Sequence, residues 1–271
     1  MKTSHFGRFP IPGDPMMREK LCWMAILAFV LGFGLVAAAG DAPDDEGFVP
    51  IFNGKDLTGW DGDPTFWSAR DGCIRGESTP EKPCKRNTFC IWRGNDAVKD
   101  GILRDFEMKV SFRIQNGNSG IQYRSQDRGN WVVTGYQAEV ENAKGKVGFL
   151  YHEGGRGWLV NVGEKMVIHE DGKKEVVASL GDKMELTKDY KAKDWNHYRI
   201  VCRGNHIQHF LNGVQTIDLV DNQLNPVDVV KGRDERKGAL SGIFALQIHS
   251  GGPMVVEFKD IKLKLLTPET K

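Results

Sequence analysis

The chain has 271 residues, enough for one large domain or two modest ones. Its 37 Lys and Arg residues are balanced by 36 Asp and Glu residues, so no basic surplus exists to neutralise the phosphates of a nucleic acid. Hydrophobic residues make up 40% and charged residues 27%, a balance that excludes a disordered chain. We therefore expect a folded protein without a nucleic-acid partner.

The first 39 residues are typical of a secretory signal peptide with an extended n-region. Arg18 and Lys20 precede an apolar run over residues 21–36, and small residues 37–40 follow it. This is the order of a basic region, an apolar core and a cleavage site. The run is short for a membrane span, so an uncleaved anchor is the less favoured alternative. We predict an exported protein, periplasmic or extracellular, with no stable membrane insertion after cleavage.

The mature chain divides into an acidic linker, residues 40–47, one domain, residues 48–266, and a tail, residues 267–271. Four basic and two acidic residues lie before residue 40, so the remainder carries a formal charge of −1. Nothing in the domain has the sustained 3.6-residue apolar stripe of a helix.

Alternation of apolar and polar residues with a period of two dominates the domain. Residues 105–115 show this pattern most clearly, and it predicts a strand with one buried face. Asn212-Gly213 joins two alternating segments and predicts a two-residue hairpin turn, whose central positions need positive φ. The alternation after residue 254 slips in phase near Asp260, as a β-bulge would produce. The sequence predicts an all-β fold, a two-sheet antiparallel sandwich.

Four cysteines remain after removal of the leader: Cys73, Cys84, Cys90 and Cys202. An even number in an exported chain permits two disulfides. The alternative is that Cys202 is a buried free thiol in a strand. The chain has no C-x-x-C pair, which leaves a zinc site with little support.

Three predicted strands carry specific polar side chains on one face. These side chains are Gln122 and Arg124 on the first, Gln137, Glu139 and Glu141 on the second, and Gln247 and His249 on the third. If the strands adjoin, their polar faces merge into a patch whose amides and carboxylates suit sugar hydroxyls, because they offer paired donors and acceptors. The alternative is a solvated face with cross-strand ion pairs.

A glycine-rich segment contributes four more candidate residues for substrate binding: Tyr151, Glu153, Arg156 and Trp158. The glycines predict a flexible loop that brings these side chains to the rim of the polar patch. Trp158 would either stack on a sugar ring or pack against the protein.

Glu139 and Glu141 also invite comparison with the carboxylate pair of a glycosidase. Residues i and i+2 of a strand are roughly 6.5–7 Å apart at the backbone, whereas a retaining pair needs carboxyl groups about 5–5.5 Å apart. Sandwich glucanases of the laminarinase type carry acids at i, i+2 and i+4, and here position i is Gln137, which cannot act as a nucleophile. Ordinary retaining hydrolysis is therefore the less favoured chemistry.

Seven short segments match a known family in the family's order, from residue 48 to about residue 266. They are residues 52–60, 118–124, 135–139, 195–196, 211–213, 246–249 and 258–261. On these segments the chain resembles the 3-keto-disaccharide hydrolase domain family. The resemblance implies a concanavalin A-like jelly roll and the cleavage of glycosides that carry a ketone at sugar carbon 3.

The implied chemistry accounts for the polar patch. A ketone at C3 acidifies the proton on C2, so a base can remove this proton and the C1 substituent leaves by β-elimination, after which water adds back. Such a site needs a base, an enolate stabiliser and a proton donor. Glu139 or His249 is expected to be the base, Arg124 the oxyanion partner, and Gln137 and Gln247 the residues that hold hydroxyls.

Two other functions stay open at this point: a non-catalytic carbohydrate-binding module on the same sandwich and, less favoured, a conventional glucanase. The expected partner is a carbohydrate, and the sequence leaves the oligomeric state open. A divalent metal ion is also left open, because Glu139, Glu141, Glu153 and His249 are suitable ligands although no spacing demands one.

Overall fold

A computed structural model of the chain describes residues 45–226 and 232–267. Within these ranges the elements, in chain order, are β1 (Val49–Pro50), β2 (Trp60–Asp61), β3 (Trp67–Arg70), β4 (Cys73–Ser78), β5 (Thr88–Trp92), β6 (Phe106–Ile114), β7 (Asn118–Asp127), β8 (Val133–Glu141), β9 (Leu150–Glu153), β10 (Gly157–Val160), β11 (Glu164–Ile168), β12 (Lys174–Ser179), α1 (Lys183–Leu186), β13 (Asn196–Arg203), β14 (His206–Leu211), β15 (Val214–Asp221), β16 (Ile243–Ile248) and β17 (Met254–Leu265). The proposed signal peptide, most of the linker and most of the tail lie outside the described residues. No helix in the described ranges has the length and apolar character to cross a membrane.

The strands form two sheets, as the alternation predicted. The larger sheet has ten strands in the order β12-β11-β15-β14-β13-β6-β17-β4-β3, with β1 paired to β17. The smaller sheet has seven strands in the order β10-β9-β8-β7-β16-β5-β2. All pairings within the described strands are antiparallel except that of β11 with β15. The prediction of an all-β, two-sheet sandwich is confirmed.

The core lies between the two sheets. On β6, Phe106, Met108 and Phe112 are fully buried and Val110 is 1% exposed, whereas Glu107 and Lys109 between them are only partly buried. Tyr123 of β7 faces them from the smaller sheet and meets Phe106 edge to face, with ring centroids 6.2 Å apart. Burial of this one face leaves the opposite face of the smaller sheet free for polar side chains.

Two local predictions are confirmed. Asn212 and Gly213, with φ of 48° and 86°, form the turn between β14 and β15. Asp260 has a φ of 49°, and the register of β17 against β6 shifts between Lys259 and Lys262, which is the predicted bulge. Both positions need the left-handed backbone region that Asn, Asp and Gly reach most readily.

The four cysteines are buried and free in the described part of the chain. The structure thus agrees with the free-thiol alternative and shows neither disulfide. Burial raises the pKa of Cys202 to about 12, so its thiol stays protonated and unreactive at neutral pH.

Candidate active site

A hollow of about 280 Å³ opens on the face of the smaller sheet that points away from the core. Its lining residues come from six strands or their ends: Asn87, Asn118, Gln137, Glu139, Glu141, Phe149, Tyr151, Glu153, Trp158 and His249. We call this hollow the groove. A larger hollow of about 660 Å³ lies elsewhere, lined by loop residues around Val98 and by Leu265, and it gathers no comparable set of amides and carboxylates. The groove is therefore the candidate site.

Strand β8 supplies the floor of the groove. Gln137, Glu139 and Glu141 alternate along it and point into the groove, while Tyr136 and Ala138 point into the core. The predicted division of the two faces of β8 is therefore what the structure shows.

Glu139 is the most deeply placed carboxyl group in the groove, only 4% exposed. Gln137 Nε2 donates to its Oε2 at 2.9 Å, and Asn118 Nδ2 donates to its Oε1. Burial raises the pKa of Glu139 to about 7, although these two hydrogen bonds act to lower it. A carboxyl group with this pKa is half ionised at neutral pH and is suited to accept and return a proton.

Glu141 lies beside Glu139 but is separated from it by an amide. Asn118 Nδ2 donates to Oε1 of both residues, at 3.0 Å for Glu141. The two carboxylates share one amide nitrogen, an arrangement that differs from the pair in a retaining glycosidase, which flanks the scissile bond.

The other wall of the groove carries Glu153, Asn87 and His249. Glu153 accepts hydrogen bonds from Asn87 Nδ2 at 2.9 Å and from Gln247 Nε2 at 3.2 Å. His249 Nδ1 lies 2.7 Å from the carbonyl oxygen of Ser250. A carbonyl oxygen only accepts, so Nδ1 carries the proton and Nε2 is left to exchange protons with a ligand.

Aromatic side chains form the rim. The rings of Phe149 and Trp158 stack with centroids 3.7 Å apart and planes 4° apart, and Trp158 is 50% exposed. Such a flat, half-exposed surface suits the C–H face of a sugar ring. Burial, with the nearby charges of Glu153 and Glu139, raises the pKa of Tyr151, so its hydroxyl keeps its proton at neutral pH.

The placement predicted for Arg124 is wrong. A bulge in β7 shifts the register between Tyr123 and Gln126, and Arg124 adopts a φ of 47°. Its guanidinium turns out of the groove and is fully buried, donating to the carbonyl oxygens of Arg104 and Gly204 and to Asp105 at 2.6–3.0 Å. Arg124 therefore cannot stabilise an oxyanion in the groove. Gln122 keeps its predicted face but is completely buried behind Gln137.

The placement predicted for Arg156 is also wrong. Its guanidinium turns inward to Asp221, at 2.6 Å, and its Nε donates to Nδ1 of His152 at 2.9 Å. Burial and then the charge of Arg156 lower the pKa of His152 to about 3, so this histidine stays neutral and can accept that bond. The ion pair of Arg156 with Asp221 connects the loop after β9 to the larger sheet, so Arg156 does not line the rim.

Sequence reasoning missed Asn87, Asn118 and Phe149. Asn118 stands in the segment Gly117-Asn118-Ser119-Gly120, whose composition is typical of a turn, yet it is four residues before Gln122 and so shares its face of the strand. Asn87 and Phe149 lie outside regular alternation, and only the tertiary structure brings them to the groove.

No group of three or more His, Cys, Asp or Glu side chains among residues 45–226 and 232–267 is arranged to hold a metal ion. The carboxylates of the groove are instead hydrogen-bonded to amides.

Gly120 leaves the room that Gln137 needs. It lies opposite Glu139 in the register of β7 and β8, and a methyl group in its place would lie 2.2 Å from Cδ of Gln137. We expect Gly120→Ala to push Gln137 off Glu139 and so to raise the pKa of Glu139 by about one unit. Gly252→Ala is the matched control, because nothing lies within 4 Å of the added methyl group there. NMR titration of the Glu139 carboxyl carbon measures both variants, and equal midpoints would contradict the expectation.

A β-sandwich with amides, carboxylates and an aromatic platform on one open face is typical of carbohydrate-active and carbohydrate-binding proteins. The chain belongs to the family described as the 3-keto-alpha-glucoside-1,2-lyase-like domain, whose sequence profile matches residues 47–264. It is 29% identical over 90 residues to the 3-keto-disaccharide hydrolase of Bacteroides thetaiotaomicron, an alignment that covers 31% of this chain and 29% of that protein.

Two solved structures are similar to this chain to different degrees. A protein from Parabacteroides distasonis, provisionally named a glycosyl hydrolase, superposes with a TM-score of 0.50 at 19% identity, covering 82% of this chain and 95% of that one. The carbohydrate-binding module CBM66 from Bacillus subtilis superposes with a TM-score of 0.44 at 16% identity, covering 77% of this chain and 96% of that one. At these identities the likeness concerns the fold alone.

Proposed function

We propose that the protein cleaves 3-keto-glycosides by β-elimination followed by addition of water. The observation that carries the proposal is the buried carboxyl group of Glu139, whose pKa of about 7 suits a reversible proton acceptor in a groove built for sugar hydroxyls. Membership of the family and the name of the Bacteroides relative support a substrate of this class.

In the first step Glu139 removes the proton from C2 of the 3-keto sugar. The C2–H electron pair moves to form a C2–C3 double bond, and the C3 carbonyl becomes an enolate. No Lys or Arg is among the ten residues that line the groove, so neutral donors stabilise this oxygen. The Tyr151 hydroxyl, whose pKa is raised, is the donor that this mechanism uses.

In the second step the enolate collapses and expels the C1 substituent. The C3 carbonyl re-forms, a C1–C2 double bond appears, and the leaving oxygen takes the proton of the carboxylic acid that Glu139 has become, which restores the carboxylate. Water then adds across C1–C2, with hydroxide at C1 and a proton at C2. The products are a free 3-keto sugar and the released alcohol.

The test is cleavage of 3-keto-lactose or 3-keto-trehalose in deuterated water by the purified protein. Elimination and re-addition place deuterium at C2 of the 3-keto product, which mass spectrometry and NMR detect. Cleavage without deuterium at C2 would indicate direct hydrolysis instead. Binding without turnover would indicate a carbohydrate-binding module, and reducing ends released from an unoxidised polymer would indicate a glucanase.

We also propose that the protein is exported, on the basis of the signal-peptide pattern in residues 1–39. Amino-terminal sequencing of the protein recovered from cell fractions tests this. A mature start near Gly40 in the periplasm or the medium is expected, and an intact leader in the cytoplasm would contradict it.

A further inference from the structure

A line of buried side chains runs from the core to Glu139. Ser125 Oγ lies 2.7 Å from Gln122 Oε1 and 2.9 Å from the carbonyl oxygen of Tyr123. Gln122 Nε2 donates to Gln137 Oε1 at 2.6 Å, and Gln137 Nε2 donates to Glu139 Oε2 at 2.9 Å. All four residues are at most 4% exposed. Ser125 and Gln122 do not line the groove. We call these four residues the amide line.

The amide line has a direction. A glutamine side chain presents a donor at one end and an acceptor at the other, so turning one amide over forces its neighbour to turn as well. The Ser125 hydroxyl has one proton for two acceptors, and the observed order of the amides places it on Gln122 Oε1. Each amide then offers its nitrogen to the next residue. Glu139 therefore meets a donor, which favours its ionised form. A reversed Gln137 would present its oxygen, which favours the protonated form.

The backbone is shaped to build this line. In a regular strand Ser125 would lie on the face opposite Gln122. The bulge that carries Arg124 out of the groove adds one residue, so Ser125 returns to the side of Gln122. Gly120 leaves the space in which Gln137 lies. The bulge in β7 and the missing side chain at Gly120 thus both make this row of hydrogen bonds possible.

We propose that Gln122 and Ser125 are positioning residues, which hold the amide nitrogen of Gln137 toward Glu139 and so keep this carboxylate ready to accept a proton. The inference rests on the proposed function for its catalytic meaning, but the arrangement itself is measurable without a substrate.

Gln122→Met is the direct test, because methionine fills a similar volume and cannot donate to Gln137. The side-chain carboxyl carbons of a ¹³C-glutamate-labelled protein are titrated by NMR, and the Glu139 signal is assigned by its loss in Glu139→Gln. The Glu139 midpoint should rise by about one pH unit in Gln122→Met. Ser125→Ala should move it in the same direction by less, because it lies one bond further away.

Gln126→Met makes the same chemical change four residues along the same strand, outside the amide line, and should leave the midpoint where it is in the wild-type protein. In kinetics, Gln122→Met should lose about tenfold in kcat/KM below pH 7 and regain the wild-type rate at high pH. Overlapping titrations for Gln122→Met and Gln126→Met would overturn the inference, as would an equal loss of rate at every pH. If no 3-keto-glycoside is cleaved by any variant while the titrations differ as expected, the proposed function fails and the amide line stands.

Discussion

Glu139→Gln should lower kcat/KM for 3-keto-glycosides by about 10²–10⁴-fold, the contribution usual for a general base. The amide has nearly the same shape as the carboxyl group but cannot accept the C2 proton. Exchange of the C2 proton with deuterated solvent should fall by the same factor, since it reports the same bond breaking. Wild-type kcat/KM should rise with pH up to about 7, where Glu139 becomes ionised, and then level off.

Stability measurements separate this loss from unfolding. The pKa of Glu139 is raised from 4.5 to about 7 on folding, so the folded protein holds this proton more tightly than the unfolded chain does. Stability from this group is present below pH 4.5 and is lost as pH rises to 7, by on the order of 3 kcal/mol. Because glutamine does not titrate, the stability of Glu139→Gln should not fall over this pH range, and the variant should be at least as stable as wild type at pH 8. An active Gln variant that is fully folded would exclude Glu139 as the base.

Asp221→Asn should lower the free energy of unfolding by about 3–5 kcal/mol, the usual cost of removing one partner of a buried ion pair. Asp221 is completely buried on β15. Its Oδ2 accepts hydrogen bonds from Nη2 of Arg156 at 2.6 Å and from the hydroxyl of Tyr136 at 2.5 Å. Tyr136 belongs to β8 of the smaller sheet, and Arg156 belongs to the loop between β9 and β10, beside the groove. The variant would leave the Arg156 charge buried without its counter-charge, between the two sheets.

Urea unfolding at neutral pH measures the change. Glu185→Gln is the control, because its ion pair with Lys188 is more than half exposed on both sides. It should cost at most about 0.5 kcal/mol. If both variants lose a similar amount of unfolding free energy, the buried ion pair of Asp221 with Arg156 does not stabilise the sandwich as expected.

The fold could be predicted from the sequence because its determinants are local. The alternation in β6, the Asn212-Gly213 turn and the bulge at Asp260 each depend on residues close together in the chain. The polar face of β8 follows from the same period of two. Once a strand is regular, knowing which residues are apolar fixes where the others point.

The errors arise where regularity breaks or where partners are distant in sequence. The bulge at Arg124 reverses which side chains of β7 face the groove, and residues 118–127 contain no sequence pattern that predicts the bulge. The carbonyl oxygens that hold Arg124 belong to residues 20 and 80 positions away, and Asp221 is 65 positions from Arg156. Only the tertiary structure brings these groups together. A sequence pattern could predict the face of the strand or loop on which each arginine lies, but not the groups to which it donates.

The three carboxylates of the groove, at Glu139, Glu141 and Glu153, stand without a cationic side chain among the lining residues. A uronic acid or a sulfated sugar entering there would bring a further negative charge into a partly dehydrated space, where like charges repel most strongly. The groove should therefore discriminate against polyanionic glycans such as pectin fragments, and oxidised glucuronides should be cleaved far more slowly than the matching glucosides. Comparable rates for that pair of substrates at low ionic strength would contradict this selectivity.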